Sequence, residues 1–553
     1  MVASKYHDPH FVLRFRGAGA RGAWQLTAVV LLTVALGWAK PVKIVVLNSP
    51  SELVQVKVMV RAGSASDPAG REGLAALTGR MLLDGSFGDP SAPVTKDMLA
   101  DIVRPWGEQA SPSVVVEKET STFSFTVPKG VFSEYAVKVL QPLFTQPLFA
   151  GDELERISKE TKVYISATLR LENTELLGLY ALDNYIHEGT PYGHLPAGTI
   201  SGLKAITVED VRRFYKTYYT AGNITVGVSS GDADIQRLIQ SSLSGLGRSV
   251  RAKKLRRVPP KRAPAIKGRE LLVITQPTTI ATGIHLGYPI NVDRRHRDYW
   301  ALYVANVALG THRDSFGRLY NEIRQARGYN YGDYSYIEWF QNRPFALFPP
   351  TNTPRKNQYF SMWVRPAGHE YAHHLLKAIG WELENFVRDG LTGEEVELAK
   401  NKARVLYLNL AETSERLLAY KLDDNFYDQR GNGFLDGYLA AIDALTPAQV
   451  NAAIRRHLQV ENLKIVIVTN EEWGARLATD IAAGQNAGGK DAAAYDFPSR
   501  EVDDELVYDI PEDKRAVVEK DRLWEAYPLN LSAGRIRVVS STQLFESARL
   551  IGR

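Results

Sequence analysis

Hydrophobic residues recur along this chain at two different periods. In Leu53–Val60 they alternate with polar residues, the period-two pattern of a strand with one buried face. Leu271–Thr275 and Ile284–Tyr288 read as further strands. Leu74, Leu77, Met81 and Leu82 fall at i, i+3, i+7 and i+8, the apolar stripe of a buried helical face. A different pattern opens the chain. The apolar run Leu26–Trp38 follows Arg14, Arg16 and Arg21, and Gly37 and Ala39 supply the small residues of a signal-peptidase site. At about 13 residues the run is short of the ~20 that span a bilayer. Residues 1–39 therefore read as an export signal cleaved after Ala39, with an uncleaved anchor as the alternative.

The pattern also repeats. Ile206–Val228 aligns without a gap to Leu445–Ile467, pairing Thr207 with Thr446, Val211 with Val450 and Asn223 with Asn462 at a constant offset of 239. Each copy reads as a helix capped by its threonine, an asparagine turn and an apolar strand. A period this long means two homologous domains rather than a solenoid. The expected layout is a first domain over 40–247, a linker over 248–269, a second domain over 270–480 and a charged, partly extended tail over 481–553 that packs in pieces around Trp524 and Tyr527. The linker holds ten Lys or Arg, no acid and three Pro, and reads as a solvated spacer. The fold class is α+β, with two α/β roll domains of mainly antiparallel sheets flanked by helices.

Composition narrows the chemistry. Of 553 residues 44% are hydrophobic and 23% charged, which excludes collagen-like, wholly disordered and polytopic membrane chains. Cysteine is absent, so thiolate nucleophiles, cysteine-ligated metals and disulfides are excluded together. The net charge is +5, of which residues 1–39 contribute +3. What remains is too weak to argue for nucleic acid. No phosphate-binding Gly-rich loop and no Gly-x-Ser-x-Gly elbow occurs.

Three segments together resemble the insulinase/pitrilysin (M16) peptidases: Gly73–Ser86 their zinc helix, Thr190–Thr199 with the Thr207–Tyr219 helix the end of their first domain, and Leu309–Tyr331 the opening of their second. The resemblance covers about residues 45–475 and implies a doubled α/β roll. Peptide-cutting members carry His-x-x-Glu-His in that first helix: two His bind zinc and the Glu activates water. In this sequence the two His positions are Ala76 and Arg80, the Glu position is Gly79, and the distant fourth ligand falls near Lys162. Alanine and glycine offer no donor atom, and arginine has no lone pair for a metal. No His occurs from residue 11 to 186. The helix is kept and its ligands are lost.

His369-Glu370-x-x-His373 in the second domain spells the zincin motif, with Glu382 or Glu384 as the nearest third ligand. Pro366 and Gly368 stand just upstream, whereas a zincin site lies inside a running helix, so this stretch reads as a solvent-facing helix start. His187 and His194, with only Glu188 as a nearby carboxylate, read as loop residues.

In the two-subunit bacterial members that the chain resembles, an Arg and a Tyr at the start of the second domain face the partner's zinc and hold the substrate backbone. Arg324 and Tyr331 match that spacing, and Arg327 is a weaker second candidate. A guanidinium grips a peptide carbonyl, and a phenol stabilises an oxyanion. The resemblance thus implies an exported, periplasmic, non-catalytic subunit without its own cofactor. It would pair with a zinc-bearing M16 subunit and help hold a peptide or unfolded polypeptide for hydrolysis. Two alternatives stay open: a self-sufficient zincin using His369, Glu370 and His373, and a non-proteolytic assembly or binding protein on the same fold.

Overall fold

The computed structural model describes residues 41–247, 262–341, 352–427, 433–486, 497–502 and 505–550. The export segment and linker residues 248–261 lie outside them. Eleven strands build the two main sheets: β1 (Lys43–Val46), β2 (Leu53–Val60), β3 (Ser113–Val116), β4 (Ser121–Pro128), β5 (Ile224–Val228), β6 (Glu270–Thr275), β7 (Thr282–Ile290), β8 (Asp333–Tyr336), β9 (Gln358–Ala367), β10 (Lys464–Thr469) and β11 (Ile536–Ser540). The helices that matter below are α1 (Leu74–Leu83), α2 (Gly151–Val163), α3 (Thr174–Ile186), α4 (Val208–Tyr218), α5 (Tyr299–Gly310), α6 (Ala372–Asp389), α7 (Gly393–Leu410), α8 (Ser414–Phe426), α9 (Pro447–His457) and α10 (Arg515–Glu525).

The internal repeat becomes a repeated topology. The first sheet has the order β1-β5-β2-β4-β3, and the second has β6-β10-β7-β9-β8 with β11 added outside β6. In both, the first strand runs parallel to its neighbour and the other shared pairings are antiparallel. The repeat's helices α4 and α9 each begin with a capping box, Thr207 with Asp210 and Thr446 with Gln449. Along β4, Ser121, Phe123, Phe125 and Val127 are buried, while the alternate residues Thr122, Ser124 and Thr126 are half-buried on the other face.

The other domain covers part of that second face and leaves Thr122 and Ser124 lining a cavity. Helix α3 of the first half lies on β7 and β10 of the second sheet, and α8 of the second half lies on β1, β2 and β5 of the first. The exchange is reciprocal, and glycines make the fit. A Cβ on Gly178 of α3 would stand 2.3 Å from Cδ2 of His285 on β7. One on Gly227 of β5 would stand 2.8 Å from Cδ1 of Leu422 on α8. Apolar residues surround α3, with Leu177, Leu182 and Ile186 all buried, because it packs against both halves.

One expectation changes here. Arg269, at the end of the basic linker, is buried. Its guanidinium donates to the carbonyls of Val460 and Leu529 and to the hydroxyl of Tyr527, so this end belongs to the second domain rather than to a solvated spacer. In the tail, α10 packs on α6 and β11 joins the second sheet in parallel with β6. Trp524 and Tyr527 are both buried.

Gly178→Val forces a side chain into His285 and Val468, and overpacking of this kind costs ~1–3 kcal/mol. Denaturant unfolding reads the loss directly, and an unchanged midpoint would show that α3 is not seated as described.

Candidate functional site

Helix α1 opens with its backbone held by a neighbouring acid. The Asp67 carboxylate accepts from the N–H of Gly73 (2.7 Å) and of Ala75 (2.7 Å). Gly73 has φ +109°, and a Cβ there would lie 2.9 Å from the Ala197 carbonyl, so both conformation and space require glycine. The helix packs against β3, α2 and α4.

At the positions of the two His and the Glu, the structure replaces ligand chemistry with packing and ion pairs. Ala76 is buried. Gly79 lets β3 approach: a Cβ would meet Val114 Cγ2 at 3.3 Å and Val116 Cγ2 at 3.5 Å, so Val114 and Val116 crowd the space a Glu side chain needs. Arg80 reaches across to α2. Its Nε donates to Asp84 Oδ2 (3.0 Å), Nη1 to Thr161 Oγ1 (3.0 Å) and Nη2 to Glu160 Oε2 (2.6 Å). Lys96 adds a bond to Asp84 (2.7 Å), and Arg156 adds one to Glu160 (2.9 Å). Burial pushes the Asp84 carboxyl up, but Lys96 and Arg80 outweigh it and hold it below the usual range. The hydrogen bond from Arg80 holds Glu160 low. The α2 residues bonded to Arg80 are thus Glu160 and Thr161, one and two positions before Lys162. A protein cation sits where the resemblance places a metal, and it already uses the nearby carboxylates.

The zincin motif does not assemble. His369 and Glu370 lie in a 3₁₀ turn before α6, and His373 is inside the helix and buried. Nδ1 of His369 is shared between the hydroxyls of Thr282 (2.8 Å) and Thr469 (3.1 Å), and its Nε2 meets Asn470 Nδ2 (3.1 Å). The reading as a solvent-facing helix start is corrected to a partly buried turn, because the ring stacks on Trp473 and is bonded at both nitrogens. Glu382 is buried and paired with Lys520 (2.8 Å). Among the described residues, one group of His and carboxylates has ligand atoms close enough for a metal: His296, Asp298 and His457. There Asp298 accepts from His457 Nε2 (2.8 Å) and pairs with Arg456, tying the start of α5 to the end of α9.

Arg324 and Tyr331 bracket the turn that leads into β8, the outer strand of the second sheet. Arg324 is half-buried, donates to the Tyr320 hydroxyl (2.6 Å) and lies over that ring. Tyr331 is 76% exposed. Asn330 braces the turn, donating to Asp333 Oδ1 (2.8 Å) and accepting from Gly332 N–H (3.0 Å). Arg327 is different. Its side chain is fully buried, bonded to Asp521 (2.5 Å) and stacked over Trp524 at 3.9 Å, so it holds the tail and reaches no substrate.

A cavity of about 350 Å³ lies between the domains, beside β3, the outer strand of the first sheet. Val115 and Lys57 of the first half and His312, Leu406, Tyr420 and Asp423 of the second are among its lining. Arg355 closes one wall: it donates to Asp183 Oδ1 (3.1 Å) and Glu117 Oε2 (3.2 Å) and stacks 4.0 Å over Trp339. Lys118, fully buried, pairs with the same Asp183 at 3.2 Å. Burial pushes the Asp183 carboxyl up, yet Lys118 and Arg355 hold it far below the carboxylate range. His187 and His194 lie in the loop after α3, buried around this network. His187 Nδ1 faces the Asp183 carbonyl (2.9 Å), and burial pushes His194 down to about 4. Arg355, Asp183 and the neighbours Glu117 and Lys118 come from separate stretches of sequence, and no local motif announces them.

Comparison with known proteins agrees with this architecture. The family model described as insulinase (peptidase family M16) matches residues 43–177, and that of the peptidase M16 inactive domain matches 205–403. The chain belongs to the M16 peptidase family. An uncharacterized zinc protease of Streptomyces coelicolor is 26% identical over 52% of this chain and 59% of its own length. One of Mycobacterium bovis is 26% identical over 48% and 56%. The chain spans less than two thirds of these relatives. Among solved structures, a peptidase M16 inactive domain from Pseudomonas fluorescens superposes with a TM-score of 0.64 at 22% identity, over 77% of this chain and 94% of that one. A Helicobacter pylori protease gives 0.63 at 15% over 78% and 98%. The first half of the periplasmic protease PqqL from Escherichia coli gives 0.58 at 15% over 78% and 90%. At these identities the likeness is one of fold. Among the described residues, no helix is long and apolar enough to cross a membrane.

Arg80→Met removes the hub of the ion-pair knot and leaves Asp84 and Glu160 facing each other across two helices. A loss of about 1–2 kcal/mol in unfolding free energy is expected at neutral pH. Both carboxyls are held low in the folded chain, so the knot's contribution is complete above their unfolded range and fades as pH falls through the folded values. The difference between parent and variant should therefore shrink in acid. A constant gap down to pH 2 would contradict this reading.

Proposed function

We propose that this chain is a non-catalytic member of the M16 family, exported to a bacterial periplasm, that works beside a zinc-bearing M16 subunit in cutting peptides. One observation supports the proposal above the others: at the second His position stands Arg80, bonded to Asp84, Thr161 and Glu160, with Ala76 and Gly79 completing a trio that has no metal-binding atom. A hydrolytic metal and its activated water need several such atoms held in fixed geometry. Zinc is expected in the partner.

The residues this chain offers instead are those of a holder. The outer strand β3 leaves one side of its backbone unpaired in the sheet, and Val115 is 40% exposed beside the interdomain cavity. An extended or unfolded polypeptide adds to such an edge through main-chain hydrogen bonds, with alternate side chains entering the cavity. Tyr331 stands free on its braced turn to meet a reacting group outside this chain. A non-proteolytic assembly role on the same fold remains the second reading, supported by the match to the inactive-domain model.

The test is reconstitution with a zinc-bearing partner. Arg324→Ala combined with Tyr331→Phe should lower peptide turnover by on the order of 100-fold, the loss typical of a missing oxyanion donor, while the two chains still co-elute. Turnover unchanged in that double variant would remove the substrate role. A partner that itself lacks His-x-x-Glu-His would favour the assembly reading.

A further inference from the structure

The tail does more than lengthen the second sheet. It lies outside the two segments, 43–177 and 205–403, that the family models match. Strand β11 runs parallel to β6, pairing Ile536 with Leu271 through to Ser540 with Thr275. Beyond Ser540 the chain leaves that sheet and enters the first domain. Leu544, Phe545 and Leu550 are 0%, 1% and 2% exposed, inside the same core as Leu169 and Ile200. One short stretch is therefore built into both halves of the molecule.

Its seat in the first domain is specific. The N–H of Ile200 donates to the Phe545 carbonyl (3.0 Å), and the N–H of Ser201 donates to that of Glu546 (2.9 Å). Arg170, 4% exposed, bonds both the Leu544 carbonyl and the Glu546 carboxylate, the latter at 2.8 Å. The Arg170 carbonyl accepts from Gln276 (3.1 Å), on the loop after β6. Arg170 is thus the node where first domain, second domain and tail meet. Phe545 adopts φ +59°, a left-handed conformation that is unfavourable for any residue but glycine. Packing and four hydrogen bonds hold it there.

We propose that Ser541–Leu550 is a latch: a C-terminal segment docked in a groove of the first domain that fixes the angle between the two domains and so the width of the cavity between them. The cavity is flanked by β3 and α7. The latch fastens a separate place, where Gln276 and Thr278 of the second half meet Arg170 and Leu171. With the latch docked, the halves move as one body. With it released, the exchanged helices α3 and α8 and the Arg355 bridge still join the halves, but the cavity can widen. This inference rests on packing alone and stands whether or not a zinc-bearing partner exists.

The absence of cysteine makes the test direct. Spin labels on Ser113→Cys in the first domain and Leu408→Cys in the second, both exposed, report the distance across the cavity. The full chain should give one narrow distribution. Arg170→Ala with Phe545→Ala should broaden it and move it to longer distance, while the amides of Ile200 and Ser201 lose about tenfold in hydrogen-exchange protection and those of β2 keep theirs. Should that pair fail to fold, the milder Arg170→Lys with Phe545→Leu, checked by near-ultraviolet circular dichroism, asks the same question. An unchanged narrow distance in a folded latch variant would overturn the proposal, and so would undiminished protection at Ile200 and Ser201.

Discussion

The two halves of this molecule depend on the exchange of one helix each. Neither sheet is covered on both faces by its own domain: α3 covers part of the second sheet and α8 part of the first. On the second sheet the covered face carries Leu272, Ile274, Val466 and Val468, which share a core with the first half and would otherwise meet water. Gly178 and Gly227 set how closely the exchanged helices approach. The buried bridge from Arg355 to Asp183 and Glu117 ties the same junction by charge. Breaking such a bridge from one side strands an uncompensated ion, which makes the junction selective for one arrangement.

On this frame the first helix, α1, is part of the scaffold, packed on β3, α2 and α4 and tied to α2 through Arg80. Arginine is an apt replacement in physical terms. It supplies in covalent form the positive charge that the surrounding carboxylates would otherwise seek, and its planar fork satisfies several acceptors at once. Asp84, Glu160 and Thr161 converge on it, and the second layer of Lys96 and Arg156 balances the remaining charge. Gly79 lets β3 close over the helix. The result is a packed, ion-paired surface beside an edge strand.

Much of this was legible before any coordinates. The offset of 239 located α4 and α9 because capping threonines and apolar periods are local signals, and the structure places those caps at Thr207 and Thr446. The loss of the ligand residues at 76, 79 and 80 could be read from residue types alone. What replaced them could be read only in part. Asp84 sits one turn from Arg80 and was within reach of a helical pairing rule. Glu160 and Thr161 come from another helix, and the sequence reading pointed to Lys162. The tail was hardest to read. Ile536–Ser540 is a strand only because β6 offers an edge, and Leu544-Phe545 is two apolar residues in a polar stretch whose groove is made by distant Arg170 and Ile200. Tertiary context decides such segments, and local pattern is silent about them.

The central claim concerns the first helix and its neighbours, and metal analysis of the purified full chain addresses it most directly. After saturation with zinc and exhaustive removal of loosely held ion, elemental analysis should find no stoichiometric zinc, because Ala76 and Gly79 have no donor and Arg80 occupies the carboxylates. One tightly held zinc per chain, retained in the absence of any partner and in a variant with His296→Ala and His457→Ala, would contradict the account.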